Sequence, residues 1–159
     1  MLIHPLKPIY NKYSKILILG SFPSSTSRKN NFYYAHKSNR FWKIFEVLFN
    51  INLKSNLQKK KFLLNNNIAL WDVLHSCDIK NSRDSSIKNP IPNDIKTIIN
   101  KSNIKYIFIT GKTAYNLYNK YFKNDVNIKA VYLPSPSSAN AKYTLDNLVK
   151  IYKKILLKL

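Results

Sequence analysis

The sequence predicts an α/β fold: a three-layer α/β/α sandwich around a central four-stranded parallel sheet. Three observations carry that prediction. Short apolar runs recur at Ile16 to Leu19, Ile68 to Leu74, Ile104 to Thr110 and Ile128 to Leu133. They are near-continuous rather than alternating, as expected of strands covered on both faces. The segments between them carry apolar residues at helical spacing, and strands alternating with helices form parallel sheets with right-handed crossovers. At 159 residues the chain has the size of one domain with a real core, so residues 1–159 are read as a single domain.

Each element follows from local chemistry. Residues 1–14 are Pro-rich and basic and read as an irregular lead-in to the first strand, Ile16 to Leu19. From Gly20 to Trp42 the chain runs GSFPSSTSRKNNFYYAHKSNRFW, a loop of about twenty residues that is long for a compact domain unless it has a function. Phe41, Trp42, Phe45, Leu48 and Phe49 lie on one face of a helix, and Ser38 or Asn39 is placed to cap it. Ser55 caps a second helix through Leu64, stopped by Asn65, Asn66 and Asn67. IALWDVL, Ile68 to Leu74, is the second strand, and the polar stretch from His75 to Pro92 reads as a long surface loop. A helix from Asn93 to Lys101 leads to the third strand, which Gly111 breaks, and Thr113 to Phe122 suit another helix. After the fourth strand come LPSPSSAN, residues 133–140, and a last helix from Tyr143 to Leu157. Loops after the first and fourth strands then share one edge of the sheet, outside the carboxyl ends, where such folds bind ligands.

Charge points to the partner. Lys and Arg number 27 against 7 acids, a net +20 that holds an anionic polymer by counterion release. The wealth of Lys, Asn, Ile and Tyr beside only Arg28, Arg40 and Arg83 is the bias of an AT-rich genome, which explains part of the lysine excess but not the scarcity of Asp and Glu. Basic charge and abundant aromatics together indicate nucleic acid. The single cysteine, Cys77, excludes a disulfide framework and any four-cysteine metal site within the chain. His75 and Cys77 are too few ligands for a metal, and no cofactor is expected. No apolar run approaches a membrane span and no signal-peptide core is visible, so the expectation is a cytoplasmic, DNA-associated monomer without membrane contact.

GSFPS after the first strand, followed by FYYAH and NRFWK, resembles the uracil-DNA glycosylase superfamily, with support from ALWDVL, SRDSSIKN and LPSPSSAN. The likeness spans about residues 15–157 and is nearest to the branch that acts on deoxyinosine; AHKSNRFWK and the Pro/Ser-rich final loop are also similar to mismatch-specific uracil/thymine glycosylases. The resemblance implies a monofunctional glycosylase of base excision repair that extrudes a damaged nucleotide from DNA, duplex or single-stranded, and hydrolyses its N-glycosidic bond. Hypoxanthine is the expected base. Uracil is the alternative, since both bases present a carbonyl beside a ring N–H.

The resemblance also implies residue roles. Many members of the superfamily keep Asp or Asn two residues after the first-loop glycine; here that position is Phe22, which cannot orient water. The catalytic role then falls to Asn39 of NRFW, which is equally placed to cap its helix. Gly20, Ser21, Phe22, Pro23, Ser24, Tyr34 and His36 are expected around the base, with Tyr34 as stacking wall and loop amides as donors. A lone histidine such as His36 is more often structural. Ser135, Pro136, Ser137, Ser138, Ala139 and Asn140 resemble the intercalating loop, and Lys112 is placed to reach DNA. Ala139 is small for a wedge. A binding protein that kept the fold and lost catalysis is the rival from another class; a small nucleotide-binding module is disfavoured because no Gly-rich phosphate loop follows the first strand.

Overall fold

A computed structural model describes all residues, 1–159. In chain order the elements are β1 (Leu2–Ile3), β2 (Ile16–Gly20), α1 (Ser25–Asn30), α2 (Phe41–Phe49), α3 (Asn56–Asn65), β3 (Ile68–Asp72), β4 (Leu74–Asp78), β5 (Lys88–Pro92), α4 (Ile95–Asn100), β6 (Tyr106–Thr110), α5 (Lys112–Phe122), β7 (Ala130–Leu133) and α6 (Leu145–Tyr152), which tightens into a 3₁₀ tail over Lys153–Lys158. The four long apolar runs form one parallel sheet in the order β3-β2-β6-β7. Its central strand, β2, is buried at every residue, which accounts for the unbroken ILIL run.

Alternate residues of the sheet serve two cores. Ile16, Ile18, Ile68, Leu70 and Phe108 face a layer made by α2, α3 and α6, in which Phe41, Trp42, Phe45, Phe62, Leu148 and Tyr152 are buried. Leu17, Leu19, Ala69, Ile107 and Ile109 face α4 and α5, where Ile95, Ile98, Ala114, Tyr118 and Phe122 close the second layer. The three-layer architecture is therefore as the periodicity predicts.

The departures are local. The Gly20–Trp42 segment is not all loop: Ser24 caps α1 by accepting from the Ser27 N–H. Ser55 does cap α3, and Gln58 returns the bond to close a capping box. IALWDVL is two strands rather than one. After Asp72 the chain leaves the parallel sheet, and from Leu74 it joins a three-stranded antiparallel sheet in the order β1-β4-β5. Val73 makes the switch, donating to Gly20 O while its own carbonyl accepts the Asn93 N–H; the Asn93 side chain spans the carbonyls of Asp72 and Leu74. The polar stretch after Leu74 is accordingly a bulged hairpin and not a loop throughout. The lead-in is likewise tied down: Leu2 and Ile3 pair with Cys77 and Ser76, and Ile9 bridges Leu70. No helix is long and apolar enough to cross a membrane.

Candidate active site

Gly20, Asp72, Thr110 and Leu133 end the four parallel strands at one edge, and a cavity of ≈ 880 Å³ opens there. All the sequence-predicted site residues line it: Asn39, the Gly20–Ser24 turn, Tyr34, His36, Lys112 and the final loop from Ser135 to Asn140. Gly20 must be glycine for a spatial reason. A Cβ there would sit 2.6 Å from Asp72 Oδ1 and 3.0 Å from the Tyr34 hydroxyl.

The floor is aromatic. Tyr34 stacks on Phe41 with ring centroids 4.0 Å apart and planes 7° from parallel, and its hydroxyl lies 3.2 Å from Thr110 Oγ1. Tyr34 holds a positive φ of 51°, a conformation costly for a bulky residue and one that clusters at functional sites. Burial pushes its phenol above the usual range, with Asp72 adding to the push, so the hydroxyl stays protonated. Phe22 is buried behind the turn, edge-on to His4 and covered by the Arg28 guanidinium. The backbone N–H groups of Ser21 and Phe22 have no protein acceptor.

Asn39 is half-buried at the start of α2, and its Oδ1 accepts the Phe41 N–H at 2.9 Å. Asn39 is therefore not the N-cap expected of it: that position is Arg40, without a side-chain cap bond, and Asn39 instead closes an Asx turn onto the first helical N–H. No protein group accepts from its Nδ2, which leaves the amide donors for whatever enters the cavity. Ser38 does not cap. It joins His36 Nδ1 to Ser138 Oγ, at 2.7 and 3.0 Å, and so ties the first loop to the last.

The final loop is fastened by Arg40, a residue that sequence reasoning did not single out. Its guanidinium donates to the carbonyls of Pro136, Ser137, Asn140 and Tyr143, and its backbone N–H also donates to Pro136 O. No carboxylate pairs with it, so its charge remains beneath the loop. Ser135 Oγ and Ser137 Oγ accept amides of their own loop, which leaves both hydroxyl protons free to donate outward. Ala139 is exposed at the tip, whereas Asn140 turns inward and donates to Ser135 O.

Two carboxylates complete the cavity, and neither was expected. Asp72, buried at the end of β3, takes the Nε2–H of His4 on Oδ2 at 2.7 Å. Because His4 Nδ1 accepts the Leu6 N–H, Nε2 carries the proton in the neutral ring. Asp72 Oδ1 has no protein partner and borders the cavity. Asp84, on the β4–β5 connection, accepts Ser21 Oγ–H at 2.8 Å. The Asp72 signal lies in the strand's own sequence: a lone acid in an apolar run at a carboxyl end.

Comparison with known proteins agrees with this geometry. The family model of the uracil DNA glycosylase superfamily matches residues 8–156. A hypoxanthine DNA glycosylase of Methanosarcina barkeri is 32% identical over 110 residues, 67% of this chain and 70% of its own length. One of Methanosarcina acetivorans is 30% identical over 141 residues, 86% of this chain and 87% of its own. A solution NMR structure from Methanosarcina acetivorans, described as a candidate uracil DNA glycosylase, superposes with a TM-score of 0.79 at 26% identity, covering 95% of this chain and 96% of the other.

Proposed function

The chain belongs to the uracil DNA glycosylase superfamily and is a DNA glycosylase, and we propose that the base it removes is hypoxanthine at deoxyinosine sites. One observation carries the choice of base class. Asp72 Oδ1, an acceptor, lies against Gly20, and the next two residues, Ser21 and Phe22, carry N–H donors without a protein acceptor; all four residues line the cavity. Hypoxanthine presents the complementary edge, a ring N–H next to a carbonyl. His4 holds the Asp72 carboxylate, so the acceptor is fixed before the base arrives.

In this reading the flipped base stacks on the face of Tyr34 that Phe41 leaves uncovered. The hydroxyls of Ser135 and Ser137, the charge held by Arg40 and the side chain of Lys112 grip flanking phosphates. Asn39, anchored through Oδ1, uses its amide to position water against C1′. The oxocarbenium-like sugar demands little nucleophilic push, so an amide suffices for orientation. The C1′–N bond breaks with its electron pair going to the base, whose anion is met by the amides of the first-loop turn. Uracil carries the same N–H and carbonyl pair and is the second reading.

The test is excision from duplexes carrying a single inosine, uracil or xanthine, followed by alkaline cleavage at the abasic product. Faster cleavage at inosine is expected. Faster cleavage at uracil overturns the base assignment, and no cleavage on any duplex leaves a DNA-binding protein on this fold.

A further inference from the structure

A chain with only 7 acids against 27 basic side chains places two of those acids, Asp72 and Asp84, in the cavity that receives DNA. Asp72 is accounted for by its buried bond to His4 and its place at the base edge. Asp84 has no such account. It opens the single 3₁₀ turn of the β4–β5 connection, Asp84–Ser86, and reaches Ser21 with one carboxylate oxygen while the other has no protein partner. If the turn needed only to dock on Ser21, an uncharged acceptor would serve without repelling phosphates. The same connection is already docked by a neutral group, since the Ser25 N–H donates to Ser82 Oγ. The bond to Ser21 also sets the Asp84 carboxylate one residue from Phe22, the first-loop position that lacks a polar group.

We propose that Asp84 is a further catalytic residue whose carboxylate faces the deoxyribose of the flipped nucleotide, offsets the charge of the oxocarbenium-like sugar and accepts the proton of the attacking water. The proposal rests on the glycosylase reading of this cavity. As the C1′–N bond breaks, its electrons leave with the base. The water oxygen bonds to C1′, and one water proton passes to the free oxygen of Asp84 and then to solvent. Asn39 orients this water; Asp84 supplies the negative charge that an amide lacks.

The ionisable groups around Asp84 are Asp72 at the end of β3, Tyr34 in the first loop and Cys77 on β4. Arg28 of α1 is engaged with the Phe22 ring and the Pro23 carbonyl. Desolvation raises the Asp84 carboxyl above the ordinary carboxylate range, the Ser21 hydrogen bond lowers it, and Asp72 raises it further. The carboxyl stands at the open mouth, and solvent there tempers the rise. Only the ionised form can accept a proton. The single-turnover rate therefore climbs with pH through a midpoint above the usual carboxylate value and then levels.

The experiment measures single-turnover excision from an inosine duplex across pH for the parent, Asp84→Asn and Ser21→Ala, with duplex affinity by anisotropy. Asp84→Asn keeps an acceptor for Ser21, so the loop stays docked. It is expected to slow the plateau rate by about 100-fold and to abolish the acid limb, with affinity unchanged or tighter. Ser21→Ala is expected to move the limb to higher pH, because it removes the bond that lowers the carboxyl. An Asp84→Asn rate near the parent's, or an acid limb that survives that change or ignores Ser21→Ala, overturns the inference alone. A parent that excises no base overturns the inference and the proposed function together.

Discussion

The two walls of the cavity are built on opposite electrostatic terms. The wall formed by the start of α2 and the loop from Ser135 to Tyr143 carries Arg40 and outward-facing serine hydroxyls, and has no acid bonded into it. The facing wall, formed by the first-loop turn, the end of β3 and the β4–β5 connection, carries Asp72 and Asp84. A polyanion settles on the first wall and is repelled by the second unless something cationic lies between. An oxocarbenium-like sugar is such a cation. On the proposed mechanism this difference segregates grip from chemistry across the cavity, with Asn39 between the two walls. Variants on the two walls should then separate cleanly into losses of affinity and losses of rate.

The largest effect is expected at the seam. Asn39→Ala should lower the single-turnover rate by about 100-fold, the size of loss seen when a group acting in the transition state is removed, with duplex affinity nearly unchanged. Its bond to the Phe41 N–H is lost as well, at about 0.5–1.5 kcal/mol of stability. Asn39→Asp keeps the acceptor for the Phe41 N–H but puts a charge beside the departing anion, so it should restore the melting temperature and not the rate. Rapid excision by folded Asn39→Ala protein would remove this residue from the mechanism.

Arg40→Met comes next, and it should act on affinity. The change strips four carbonyls of a charged donor and lets the final loop relax, costing about 2 kcal/mol of stability, or about 4–8 °C in Tm. Duplex affinity should fall about tenfold if the loop grips phosphate with a single cation beneath it, and the slope of log affinity against log salt should lessen by about one. Equal affinity with a lower Tm would reduce Arg40 to a structural latch. At saturating DNA the rate should hold, which is the half of the result that distinguishes this wall from the other.

Tyr34 belongs to neither wall and reads the floor between them. Tyr34→Ala should weaken retention of the flipped base by about 1–3 kcal/mol. Because Tyr34 also stacks on buried Phe41 and reaches Thr110, the same change lowers stability. Tyr34→Phe separates these effects. It keeps both stacks, loses only the Thr110 bond, and should excise at close to the parent rate.

What could be read from the sequence follows the same division. The gripping wall and the aromatic layer behind it lie in local patterns: NRFW runs straight into a helix whose Phe41, Trp42 and Phe45 are buried, and Ser55 with Gln58 spells its own cap. The acidic wall is made by long-range contacts that leave no local period. His4 and Asp72 are 68 residues apart, and Ser21 and Asp84 are 63 apart. The hairpin carrying Asp84 is equally hard to see. Its β5 strand has Pro90 and Pro92 and no buried residue, which suits an edge strand but reads as loop, and bulges interrupt its pairing with β4. Arg40 escaped notice because its partners are backbone carbonyls, which no side-chain pattern marks.

The smallest effects compare a tyrosine that supports the gripping wall with one that supports nothing near the site. Tyr152 is fully buried in the α6 layer and its hydroxyl donates to Pro134 O at 2.6 Å, where the final loop begins. Tyr152→Phe leaves that carbonyl without its donor and should cost about 1 kcal/mol, with a small loss of duplex affinity as the loop loosens. Tyr118 is as deeply buried in the α5 layer, but its hydroxyl has no partner, and burial has pushed its phenol up to about 12. The hydroxyl has lost its hydration without gaining a hydrogen bond, so Tyr118→Phe removes a penalty rather than an interaction. Stability should hold or rise by about 1 kcal/mol, a Tm gain of about 2–4 °C, while rate and affinity stay at parent values. Paired thermal melts of the two variants measure the contrast directly. A Tyr118→Phe protein that melts earlier than the parent would show a hydrogen-bonded hydroxyl in the α5 layer, and with it a polar contact on the side of the sheet that the two-wall picture treats as scaffold alone.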